Sequence, residues 1–96
     1  MDKETIKKKL VAKSNEILEK YSEQEMIDSV SVMNMSSKTV FLGSLKVYNE
    51  DSVKNIKNDL KKQLNEYGDV VIRDEKVVPC CAPNYIHVSY NISVTN

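Results

Sequence analysis

Cys80 and Cys81 stand side by side ahead of the chain's one histidine, in the stretch Pro79-Cys80-Cys81-Ala82-Pro83-Asn84-Tyr85-Ile86-His87. Two thiolates and an imidazole are ligands for a soft metal, and a cysteine beside a histidine is the pairing that activates a thiol nucleophile. A small metal- or thiol-dependent enzyme or sensor would therefore use Cys80, Cys81 and His87. The spacing opposes it. Neighbours on a strand point to opposite faces, so the two thiols should diverge, and a fourth protein ligand is missing. The competing reading is two cysteines packing at a strand end and a solvated histidine on a polar strand face. No metal or cofactor is expected.

Asp74 and Glu75 make a second pair of chemical interest within Arg73-Asp74-Glu75-Lys76. As strand neighbours they face apart, which suits a charged bulge or tight turn near a sheet edge better than paired catalytic carboxylates. Lys7, Lys8, Lys9 and Lys13 make the start of the chain locally basic, and with an exposed tyrosine such as Tyr85 they define a nucleic-acid or nucleotide-binding alternative. Charge balance disfavours it: Lys and Arg total 14, Asp and Glu total 14, and Arg73 is the one arginine. Binding that displaces counterions from phosphates draws on a basic surplus. The sequence contains no phosphate-cradling glycine loop, zinc-finger spacing or nucleophile elbow.

The elements that must position these residues follow from periodicity. Ile6, Leu10, Ile17, Leu18 and Tyr21 share one face of a helix predicted over 3–21, capped by Asp2. Val53, Ile56, Leu60, Leu64 and Tyr67 share one face of a second helix over 52–67, with Asn49 or Asp51 at its start and Gly68 placed to stop it in a left-handed conformation. Each helix precedes a hairpin, 29–35 with 39–48 and 70–81 with 85–95. The last strand alternates strictly, Ile86, Val88, Tyr90, Ile92 and Val94 against Tyr85, His87, Ser89, Asn91 and Ser93.

These elements predict one α+β domain over 1–96, halves 3–48 and 49–96, built as a two-layer sandwich of order αββαββ. Four mainly antiparallel strands would carry two helices on one face. An offset of 46 aligns Leu10 with Ile56, Leu18 with Leu64, Tyr21 with Tyr67, and Val40 and Leu42 with Ile86 and Val88. Two amphipathic αββ units give such a match with or without duplication. Apolar runs are far short of the roughly 20 residues that span a bilayer, and two adjacent cysteines do not make a secreted disulfide framework. A cytoplasmic protein without membrane contact is the expectation.

Strand 39–48 departs from the one-face rule. A three-residue loop at Ser36-Ser37-Lys38 pairs Met33 with Phe41 and Val32 with Leu42. Ile27, Met33, Met35, Phe41, Leu45 and Val47 then gather on the face the helices leave open, with Gly43 among them to admit another backbone. Either the sheet curls or a terminus folds over such a patch, or the patch marks an interface, with a second copy or with another protein. The expected function is a small non-enzymatic module that binds protein stoichiometrically and self-associates through an apolar sheet face or strand edge. An accessory or inhibitor protein fits, and the Lys-, Asn- and Ile-rich composition suggests a phage or mobile-element source of anti-defence type.

Overall fold

In a computed structural model, which describes residues 2–95, helix and hairpin alternate twice, as the periodicity predicts. The elements are α1 (Lys3–Lys20), β1 (Ser31–Asn34), β2 (Lys38–Val47), α2 (Val53–Leu64), β3 (Asp69–Val77) and β4 (Tyr85–Thr95). The strands form one open antiparallel sheet in the order β1-β2-β4-β3. Both helices pack on the same face, giving an α+β two-layer sandwich. The halves therefore meet through β2 and β4, and each contributes one edge strand. Among the described residues no helix is long and apolar enough to cross a membrane.

Local chemistry explains the helix ends. The Asp2 carboxylate accepts the Thr5 N–H at 2.8 Å and so satisfies a donor that the first turn of α1 leaves open. At the other end, Ser22 N–H donates to the Glu19 carbonyl and Glu23 N–H to that of Leu18, with Ser22 left-handed at φ 62. This is a Schellman cap with serine where glycine is usual. α2 stops earlier than expected, at Leu64, and its final turn tightens to a 3-10 turn over Asn65–Tyr67. Gly68 follows at φ 159, ψ −163, an extended residue rather than the left-handed stop expected there. Proximity is what requires glycine here, since a Cβ would lie 2.3 Å from the Ser93 carbonyl oxygen.

The core lies between the helices and the inner face of the sheet. α1 supplies Leu10, Ile17 and Leu18, α2 supplies Ile56, Leu60 and Leu64, and β4 supplies Ile86, Val88, Tyr90 and Ile92. β4 alternates as its sequence predicts.

β2 does not follow expectation. Its buried side is Thr39, Phe41, Gly43, Leu45 and Val47, while Val40 and Leu42 are half-exposed on the open side. The cause is a one-residue difference in register. Met35 N–H donates to the Lys38 carbonyl at 2.8 Å, leaving only Ser36 and Ser37 in the turn. Val32 consequently pairs with Phe41 and Met33 with Val40. A slip of one residue exchanges the faces of a strand, so Phe41, Leu45 and Val47 move from the expected interface into the core. Burial contributes roughly 1.5–3 kcal/mol for each such side chain, which favours this register. The same finding breaks the offset of 46 within the strands: Val40 and Leu42 are on the open face, whereas Ile86 and Val88 are on the buried one. In the helices Leu10, Leu18, Ile56 and Leu64 are all buried, as the offset requires.

Gly43 admits a side chain of its own chain rather than another backbone. It pairs directly with Tyr90, and a Cβ on Gly43 would fall 2.2 Å from Tyr90 Cζ. The Tyr90 ring therefore lies across the glycine, beneath α1. Its hydroxyl forms a 2.9 Å hydrogen bond with that of Ser14, also fully buried. Burial in this low-dielectric setting raises the Tyr90 phenol above its ordinary pKa, against a smaller opposing effect of the Ser14 hydrogen bond. Gly43 and Ser14 are small because Tyr90 fills the space between sheet and helix.

α1 is also fixed to α2 by polar contacts. Tyr21 hydroxyl donates to the Asp59 carboxylate at 2.7 Å, and Lys20 Nζ reaches the same oxygen at 3.0 Å. Together these hold the Asp59 carboxyl below its ordinary pKa, the Tyr21 hydrogen bond foremost. A carboxyl depressed in the folded state adds stability above its unfolded value of about 3.9, and that stability disappears as pH falls through the lower folded value. Thermal stability should therefore drop below about pH 4. Asp59→Asn should lower the melting temperature at pH 7 and flatten the fall toward acid, as scanning calorimetry at several pH values would show.

Candidate functional site

The residues of chemical interest do not converge. Cys80 and Cys81 are both free and exposed, in the connection between β3 and β4. His87 sits on the open face of β4, paired by register with Lys46 of β2 and Glu75 of β3. Among the described residues no group of three or more His, Cys, Asp or Glu is arranged to hold a metal ion. The metal-site alternative of Cys80, Cys81 and His87 thus has no such group behind it, and the cysteines, being exposed, do not pack as the competing reading supposed.

Arg73-Asp74-Glu75-Lys76 also differs from expectation. There is no bulge or turn. β3 runs unbroken through it, each residue from Asp69 to Val77 opposite one residue of β4. Alternation sends Asp74 toward the helix layer, where Lys57 pairs with it at 2.5 Å, and Glu75 to the open face. The two carboxylates face apart, and β3 is an edge strand, as the charge pattern implied.

The lysines of α1 are largely engaged within the chain. Lys7 pairs with Glu4 at 3.7 Å, Lys13 with Glu66 at 3.0 Å and Lys20 with Asp59 at 3.0 Å. Lys13 holds the Glu66 carboxyl below its ordinary pKa by hydrogen bond and charge. These lysines belong to the helix layer and Tyr85 to the opposite side of the sheet. A nucleic-acid strand would not meet both at once.

Two surfaces remain, the open sheet face and the sheet edges. Register and alternation place Met33, Val40, Leu42 and Val71 toward one end of the open face, in two adjacent rows across the sheet. Met33 is 49% exposed, Met35 beside the hairpin turn 47% and Val71 51%. Of the six interface residues expected from sequence, only Met33 and Met35 are exposed. Ile27 is half-buried, its backbone held by the Asn15 amide, which donates to the Ile27 carbonyl at 3.0 Å and accepts its N–H at 2.9 Å.

The far end of the open face is polar and tied down. Tyr48 hydroxyl donates to Glu25 at 2.6 Å, Lys46 reaches Glu25 at 3.5 Å, and Lys46 Nζ stands 5.1 Å from the centre of the Tyr85 ring. The Tyr48 hydrogen bond and the Lys46 charge hold the Glu25 carboxyl below its ordinary pKa. Lys46 and Tyr48 therefore use their polar groups within the chain.

The two edges differ in length and protection. β1 pairs over only Ser31–Asn34, and short edge strands resist addition. β3 runs from Asp69 to Val77 with its outer backbone unpaired in the sheet. Charge guards its second half, where Asp74 and Lys76 are paired to Lys57 and Glu50. Its first half, Asp69-Val70-Val71-Ile72-Arg73, has no proline, bulge or lysine to discourage another strand.

The sequence reading expected an apolar sheet face or strand edge, but it placed Val40 and Leu42 on the helix side and did not single out Val71. The signal for Val40 and Leu42 was alternation within β2 once the hairpin turn is counted as two residues, and for Val71 it was alternation along a β3 unbroken by a bulge. Comparison with protein-family models, with curated proteins and with solved structures finds no match to this chain.

Proposed function

We propose that this chain acts without catalysis, as a small protein-binding module that works stoichiometrically and associates with itself through exposed strand surface. The observation that carries the reading is the incomplete cover of the sheet: one face has no helices, and the long edge β3 has no neighbour. An exposed edge is a template of unpaired N–H and C=O groups for another strand. Across the open face the apolar residues Met33, Val40, Leu42 and Val71 add contact area, and methionine adapts to irregular partners. An accessory or inhibitor protein is the role these surfaces suit.

Solution molar mass tests the reading. Sedimentation equilibrium over a dilution series should give a mass that rises with concentration from one chain toward two. A mass of one chain at every concentration up to the millimolar range would contradict self-association.

A further inference from the structure

The first half of β3 is complementary in charge to its own reverse. Read forward it is acidic, apolar, apolar, apolar, basic: Asp69, Val70, Val71, Ile72, Arg73. Laid antiparallel on a second copy of itself about Val71, it places Asp69 opposite Arg73, Val70 opposite Ile72 and Val71 opposite its own equivalent. Both ends of the segment then carry the same charge pair. We propose that two copies of this chain join through this edge, on a two-fold axis passing through Val71, to make one continuous eight-stranded sheet. The proposal rests on the self-association reading and specifies its surface and register.

The faces agree as well as the charges. Asp69, Val71 and Arg73 alternate onto the open face, and Val70 and Ile72 onto the helix side. Opposed residues of an antiparallel pair point the same way. This register therefore keeps the helices of both copies on one side of the joined sheet. Shifting the axis to Ile72 would set Asp69 against Glu75 and Val71 against Arg73, which the charges oppose. Asp69 and Arg73 are exposed and form no ion pair with each other or with other described residues, so both are available. Val71 is among the most exposed apolar side chains, and Val70 and Ile72 are only half-buried. Pairing covers all three. Beyond Arg73, the charged residues Asp74, Glu75 and Lys76 limit how far the edges can zip together. A contact this short belongs with weak interfaces, under about 1,200 Å², so the dimer should dissociate on dilution.

A charge exchange tests the register. Asp69→Arg gives a chain basic at both ends of the segment, and Arg73→Asp one acidic at both ends. Each variant alone opposes like charges twice in the dimer, so its dissociation constant should rise by about tenfold or more. Mixed one to one, the variants restore both opposite-charge pairs, and a heterodimer should form with about wild-type affinity. The double variant D69R/R73D should likewise recover self-association. Far-ultraviolet circular dichroism should show all variants folded, because both positions are exposed. Dimers that persist in each single variant would overturn the edge proposal and place the contact on the open face near Met33 and Leu42. Failure of the mixture to associate would overturn the register. A wild-type chain that stays monomeric would instead defeat the self-association reading itself.

Discussion

Replacing Phe41 with glutamate should unfold the domain. Phe41 is 1% exposed, pairs with Val32 of β1 and Ile92 of β4 on either side of β2, and lies among the helix side chains. Truncating a buried phenylalanine to alanine alone costs about 3–5 kcal/mol. Glutamate adds the cost of a buried carboxylate, which must either lose its hydration or take up a proton. Against a stability of about 5–15 kcal/mol for a domain of this kind, little would remain. The cooperative thermal transition seen by circular dichroism should disappear at pH 7, and Leu45→Glu should do the same. Met33→Glu is the matching control on the open face. It should leave the melting curve close to wild type, within about 0.5 kcal/mol. If Phe41→Glu folds normally, β2 has its other face inward, and the register of the first hairpin is that of a three-residue loop.

The second large effect concerns Gly43. An added methyl would overlap the Tyr90 ring at 2.2 Å from Cζ, and that ring cannot swing away without breaking its hydroxyl contact with Ser14 beneath α1. Overfilling a packed site costs about 1–3 kcal/mol, and this one also strands two buried hydroxyls. Gly43→Ala should therefore lower the denaturation midpoint by an amount equivalent to about 2–4 kcal/mol. The coupling is itself measurable. In a Tyr90→Leu background the ring is gone, and Gly43→Ala should cost at least about 1 kcal/mol less than in the wild type. Equal costs in the two backgrounds would mean that the glycine is required for its backbone and not for the ring above it.

These two positions also show where the sequence was legible. Helical periodicity in Leu10–Tyr21 and Val53–Tyr67, and strict alternation in Tyr85–Val94, were enough to derive the element order and both layers. Those patterns arise because each element has a single buried face. β2 was harder because both of its faces carry large apolar residues: Phe41, Leu45 and Val47 on one, Val40 and Leu42 on the other. Orientation then depended on the length of the Ser36-Ser37 turn, which lacks the glycine or asparagine that marks a two-residue hairpin. One residue of error exchanged core for surface. The purpose of Gly43 was hidden for a related reason, since the ring that covers it comes from β4 and is far away in sequence. At the candidate surface, the charge of Arg73–Lys76 pointed to a sheet edge but was taken for a bulge or turn, and the status of Asp69–Val77 as one long free edge required the strand order.

Amide hydrogen exchange along β3, measured at low and high protein concentration, tests edge pairing most directly. Within Asp69–Arg73, the amides that do not bond to β4 should exchange fast in dilute protein. They should become progressively protected as concentration rises, while the amides of β1 stay unchanged. Exchange in this segment that is independent of concentration, in protein whose mass shows self-association, would mean that the chains meet elsewhere.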